Sequence, residues 1–199
     1  MALDNGAKPE AVHDSTLVSK APSNQVLLVL RLVAFFATAA ATIVMALNKE
    51  TKTIVVATIG STPINATLTA KFQDTPAFVF FVIANGMASL HNLLMVVVEI
   101  WGHKFDYKGL RLAMIAVLDM MTVALASGGD GAATFMAELG KKGNSHARWN
   151  KICDKFGTFC DHGAGAIISS FVGLLLLVLI TALSIGRLVK PRPATLSPV

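Results

Sequence analysis

The chain has 199 residues, of which 54% are hydrophobic and only 15% charged, well short of the roughly 25% charged residues of a soluble globular domain. Its net charge of +5 does not mark a nucleic-acid binder, because the basic residues form no stripe interleaved with aromatics. They flank apolar runs instead, as Arg187, Lys190 and Arg192 do, where they meet anionic lipid headgroups.

Residues 1–25 are polar, containing Lys8, Glu10, Asp14 and Lys20, and show no apolar core ending in a small-residue cleavage site. They read as a tail, and the first apolar run is expected to serve as its own insertion signal. Met1-Ala2 lacks the glycine that N-myristoylation needs.

A bilayer core requires about 20 apolar residues in helical form, and four segments meet that demand. They are Val26–Leu47, Pro76–Ile100, Leu110–Ala126 and Ala164–Ile185. The third is the shortest, and a helical continuation past Gly128-Gly129-Asp130 to Leu139 is open. The expected fold is an all-α bundle of four transmembrane helices over residues 26–185, with residues 1–25 and 186–199 as tails.

Four spans place both termini on one side. Counting basic residues barely separates the two sides, but those of the tails and of the short loop Trp101–Gly109, such as Lys104 and Lys108, lie close to the helix ends. The sequon Asn65-Ala66-Thr67 is usable for glycosylation only outside the cytosol. Cys153 and Cys160, the chain's two cysteines, share the last loop. The tails are therefore expected in the cytosol, with residues 48–75 and 127–163 outside.

Two charges fall within the spans. Arg31 lies about 8 Å below the boundary of the first and Asp119 about 14 Å below that of the third, at 1.5 Å per residue. A lone charge at the bilayer centre costs about 2.5–3.5 kcal/mol on insertion scales. The expected arrangement is a bidentate Arg31–Asp119 pair locking the first helix to the third. The alternatives are an arginine that snorkels to the cytosolic surface and an aspartate that stays protonated.

On the second span, Asn85, Ser89, Asn92 and Glu99 follow at intervals of four, three and seven, on one helical face with His91 beside it. That stripe reads as hydrogen-bonding glue between helices, or in a sharper reading as a pore lining. On the fourth, Gly165, Ser169 and Gly173 recur every fourth residue, as Ala37 and Ala41 do on the first, a spacing that permits close helix approach.

The last outer segment invites two readings. In an oxidising compartment Cys153 and Cys160 form a disulfide around Phe156 and Phe159, with Trp149 at the lipid–water interface. Alternatively, His146, Cys153, Cys160 and His162 supply four metal ligands, although their spacing matches no familiar zinc module. The disulfide is the expectation; no metal or other cofactor is.

Three runs carry a resemblance: Ala70-Lys71-Phe72-Gln73-Asp74-Thr75-Pro76-Ala77-Phe78 and Phe81-Val82-Ile83-Ala84-Asn85 entering the second span, and Trp149 to Cys160 with Phe156-Gly157-Thr158-Phe159-Cys160. With Arg31 in the first span and Asp119 in the third, the chain resembles the plant CASP-like family, relatives of the Casparian strip membrane domain proteins and, more distantly, of the four-span MARVEL proteins. Segment Lys71–Phe78 departs from the outer-loop signature of strip-forming members, so the likeness is to the broader group. The resemblance implies a plasma-membrane protein that forms homomers and heteromers with related members, and a platform that recruits wall-modifying proteins.

A non-catalytic scaffold is thus the expected function. A small transporter or channel using Asn85, Ser89, Asn92 and Asp119 is the alternative, although no internal repeat or span broken at mid-membrane supports it. No nucleophile stands with an orienting base, so an enzyme is not expected.

Overall fold

The computed structural model describes residues 24–101 and 110–189. The two tails and the central loop, with Lys8, Lys20, Lys104, Lys108, Lys190 and Arg192, lie outside the described residues.

Four helices dominate: α1 Asn24–Ala46, α2 Pro76–Trp101, α3 Leu110–Lys142 and α4 Gly157–Val189. All four are long and apolar enough to cross a membrane. Pro76 opens α2 at a position where its missing N–H costs nothing. Each helix packs against two neighbours in the ring α1–α2–α3–α4–α1, so α1 and α3 stand on one diagonal and α2 and α4 on the other.

Small residues fill much of the interior, and many large apolar side chains face outward. Buried positions include Ala34, Ala41, Ala84, Ala88, Ala116, Ala126, Ala133 and Ala166, whereas Phe36, Met121 and Leu175 are about two-thirds exposed at 65%, 65% and 66%. Lipid tails are as apolar as leucine, so burying large side chains brings little gain and close backbone approach decides packing. Two apolar clusters fill the interior. One gathers Met45, Phe78, Phe81, Phe156, Phe159 and Ile167 near the α1–α2 and α3–α4 connections. The other gathers Leu27, Ala34, Ala88, Ala126, Leu177 and Ile180.

The structure departs from the expected boundaries mainly in α3 and α4. Both contain 33 residues, about 50 Å at 1.5 Å per residue, against a hydrocarbon core of about 30 Å. α3 runs unbroken through Gly128-Gly129-Asp130, well past Ala126. Tertiary contact overrides the low helix propensity of the glycines: a Cβ on Gly129 would lie 2.8 Å from the Ala84 Cβ of α2. α4 begins at Gly157 rather than Ala164, which places Cys160 in its first turns.

Residues 48–75 are not a featureless loop. Strand β1, Lys49–Ile59, pairs antiparallel with β2, Thr62–Lys71, and a single 3-10 turn, Phe72–Asp74, leads into α2. Gly60 takes φ +63° while Ser61 does not enter the positive region, the conformation a two-residue Gly-first hairpin turn requires. A register shift lies between Val55 and Ala57. One face of the hairpin is a polar ladder in which Thr51 meets Thr69 at 3.0 Å and Thr53 meets Thr67 at 3.1 Å. Asn65 pairs opposite Val55 and is exposed on that same face.

Candidate functional site: polar clusters within the helix bundle

Asp119 is the centre of the larger cluster. It is 2% exposed, and its two oxygens take partners from all three other helices. Arg31 of α1 donates from Nη1 to Oδ1 at 3.0 Å and from Nη2 to Oδ2 at 2.8 Å. His91 of α2 places Nε2 2.7 Å from Oδ1. Ser184 of α4 donates to Oδ2 at 2.9 Å. Arg31 is itself 1% exposed, so it does not snorkel. Its Nε lies 3.5 Å from Oε1 of Glu99 on α2, and the one guanidinium therefore faces two carboxylates. Parallel N–H···O bonds fix both the distance and the orientation of the helices that carry them.

The second cluster lies eleven residues, about 16 Å, farther along α3. Asp130 is fully buried there. Its Oδ1 is 2.5 Å from Ser170 Oγ of α4 and 3.3 Å from Asn85 Nδ2 of α2. Ser170 Oγ also lies 2.6 Å from Asn85 Oδ1. α1 contributes nothing to this cluster among the described contacts, and no ion pair among the described residues includes Asp130.

The face anticipated on α2 is therefore divided between two levels. Asn85 joins the Asp130 cluster and Glu99 the Asp119 cluster. Asn92 is buried and returns its amide to the Ala88 carbonyl at 2.9 Å, while Ser89 is half-buried between them. Sequence reasoning did not assign His91, Ser184, Asp130 or Ser170 to a cluster. Asp130 carries a usable signal, a carboxylate inside an apolar run, but it lies past Ala126, the expected end of the third span.

The small-residue stripe on α4 is likewise only partly used. A Cβ on Gly173 would meet Thr38 Cγ2 of α1 at 2.7 Å, and Ser169 Oγ donates to the Ala37 carbonyl at 3.0 Å. Gly165 faces open space.

Above the bundle, the hairpin base and the last connection are stitched to the start of α4. Glu50 Oε2 accepts the Phe159 N–H at 2.7 Å, and Asn48 Nδ2 donates to the Phe159 carbonyl at 2.8 Å. The Lys52 ammonium, 2.8 Å from Glu50, and the Phe159 amide hold the Glu50 carboxyl below the ordinary carboxylate range. Cys153 and Cys160 are joined in a disulfide. With both sulfurs in the bridge, the alternative donor set His146, Cys153, Cys160 and His162 loses two of its four ligands. Phe159 meets Phe78 edge to face, with ring centroids 6.1 Å apart.

A charged, hydrogen-bonded Arg–Asp pair between the first and third of four spans, under a disulfide-closed cap, invites comparison with known proteins. Residues 20–176 match the Casparian strip membrane protein domain. The chain belongs to that family. It is 67% identical over 194 residues to "CASP-like protein 1B2" of Populus trichocarpa, covering 97% of this chain and 96% of the relative. It is 66% identical over 164 residues to "CASP-like protein 1B2" of Arabidopsis thaliana, covering 82% and 83%, and 58% identical over 183 residues to "CASP-like protein 1B1" of the same plant, covering 92% and 93%. No solved structure matches the chain. Like the rest of its family it is a multi-pass membrane protein, built here from four apolar helices.

Proposed function

We propose that this CASP-like chain is a non-catalytic scaffold of the plasma membrane, associating with copies of itself and with related family members to organise membrane subdomains and recruit cell-wall-modifying proteins. One observation carries the reading: Asp119 takes a partner from every other helix of the bundle. Polar groups within the spans are directed at one another, which suits a rigid bundle presenting its outer surface to neighbours. Two features beyond the helices favour contact with partners, namely the exposed hairpin and the disulfide-closed connection beside it.

Both tails are assigned to the cytosol. The exposed Asn65 and the Cys153–Cys160 bridge lie at the same end of the bundle, since Glu50 at the hairpin base bonds to Phe159. Glycosylation of Asn65 and disulfide formation both belong to a non-cytosolic compartment, and four spans return the termini to the opposite face.

Native mass spectrometry of the full chain in lipid nanodiscs tests the scaffold. Homomers are expected for the wild type, and mixed assemblies when a related member is co-expressed. A protein that stays strictly monomeric in native lipid, alone and with its relatives, would overturn the proposal.

A further inference from the structure

The two buried aspartates of α3 live in opposite surroundings. Asp119 receives two hydrogens from a guanidinium and one from a serine hydroxyl, with an imidazole nitrogen beside them. Asp130 has only a serine and an asparagine, and its Oδ2 is buried with no hydrogen-bond partner.

Counting hydrogens around Ser170 decides what Asp130 must be. Ser170 Oγ lies 2.5 Å from Asp130 Oδ1 and 2.6 Å from Asn85 Oδ1. Both are hydrogen-bond separations between oxygens, yet a serine hydroxyl owns a single hydrogen. A second hydrogen is needed. If the Asn85 amide were turned over to supply it, the Asn85 oxygen would take the place of a nitrogen that now lies 3.2 Å from the Phe81 carbonyl and 3.3 Å from Asp130 Oδ1. Three acceptors would then crowd together with no donor among them. The count closes without that cost when the carboxyl supplies the hydrogen: Asp130 donates to Ser170, Ser170 donates to Asn85 Oδ1, and Asn85 Nδ2 donates to the Phe81 carbonyl.

We infer that Asp130 is a proton-binding site, a neutral carboxylic acid that acts as a hydrogen-bond donor to Ser170, while Asp119 on the same helix is ionised. The bare Oδ2 agrees with this, since a neutral carbonyl oxygen tolerates burial without partners far better than a charged one. A metal cation does not fit: the three oxygens stand at hydrogen-bonding distance, closer together than ligands arranged around an ion. The result is an uncharged clasp of α2, α3 and α4 that places no net charge in the apolar interior, on a level that the Arg31 guanidinium does not serve.

Infrared spectroscopy of the full chain in nanodiscs at neutral pH tests this, with aspartate labelled by carbon-13 at the side-chain carboxyl. The expected spectrum contains an isotope-shifted stretching band of a protonated carboxyl. D130N should abolish that band and leave the carboxylate bands unchanged. S170A, which removes the acceptor of the acid proton, should move the band without abolishing it. A wild-type spectrum with no protonated aspartate overturns the inference whether or not either variant folds. So does a band that survives D130N, or one that S170A leaves in place.

Discussion

Arg31 and Asp119, separated by 88 residues in sequence, meet across the bundle diagonal through two hydrogen bonds of 3.0 and 2.8 Å. Neither helix is the other's ring neighbour, so this pair ties together the elements that backbone packing leaves apart. Removing one partner of a buried pair leaves an uncompensated charge, typically at a cost of about 3–5 kcal/mol. R31M, which leaves Asp119 and Glu99 without their guanidinium, should lower the unfolding temperature in detergent sharply, and D119N less so, because Glu99 still faces Arg31. The double variant should recover only part of the loss, because His91 and Ser184 would still face a carboxylate that is gone. Single variants that melt with the wild type would show that the pair does not hold the helices.

The disulfide closes a short loop, with a sequence separation of 7. In the chain-entropy account such a bridge contributes about 2.5 kcal/mol. Reductant should therefore destabilise the wild type by about as much as C153S/C160S does, and should leave that double variant unaffected. The measurement is thermal unfolding with and without a thiol. A further drop in the double variant on adding thiol would place the sensitivity elsewhere.

Much of this fold was legible because lipid imposes so few solutions. A span must be helical, long and apolar, so the starts and ends of α1 and α2 fell within two residues of the expectation. Asp119 could be matched to Arg31 because a lone charge there has few alternatives. The partners His91 and Ser184 were not legible, since their roles depend on how each helix is rotated about its axis, which sequence spacing alone leaves open. The hairpin was missed for a different reason. Thr51, Thr53, Ile54, Val55, Thr67 and Thr69 flank Gly60-Ser61, a recognisable hairpin signal, but the strands are largely exposed and lack the apolar length that marks a span.

The hairpin base supplies a pH dependence with a definite sign. The Glu50 carboxyl is held below its ordinary value of 4.5 by the Lys52 ammonium and the Phe159 amide. Its ionised form is therefore favoured by the fold. The contribution is complete above the unfolded value of 4.5 and is lost as pH falls through the lower folded value. E50Q should be less stable than the wild type at neutral pH, and the two should converge in acid. Thermal unfolding across an acid-to-neutral series checks this, and a constant difference at every pH would contradict it.

The two glycines of the α4 stripe should respond oppositely to the same substitution. At Gly173 an added methyl group would sit 2.7 Å from Thr38 Cγ2, 3.5 Å from the Ala37 Cβ and 3.5 Å from the Thr38 backbone nitrogen. Thr38 is held by its hydroxyl's hydrogen bond to the Ala34 carbonyl, and Ser169 holds the neighbouring Ala37 carbonyl, so α1 and α4 must separate. Overpacking of this kind costs about 1–3 kcal/mol, more than the gain of at most about 1 kcal/mol in helix propensity from Gly to Ala. At Gly165 nothing lies within 4 Å, and only the propensity gain remains. G173A should therefore lower the unfolding temperature while G165A leaves it level or raises it. If the bundle used the stripe uniformly along α4, the two variants would fall together. Equal losses at both positions would thus place α1 against Gly165 as closely as Thr38 stands against Gly173.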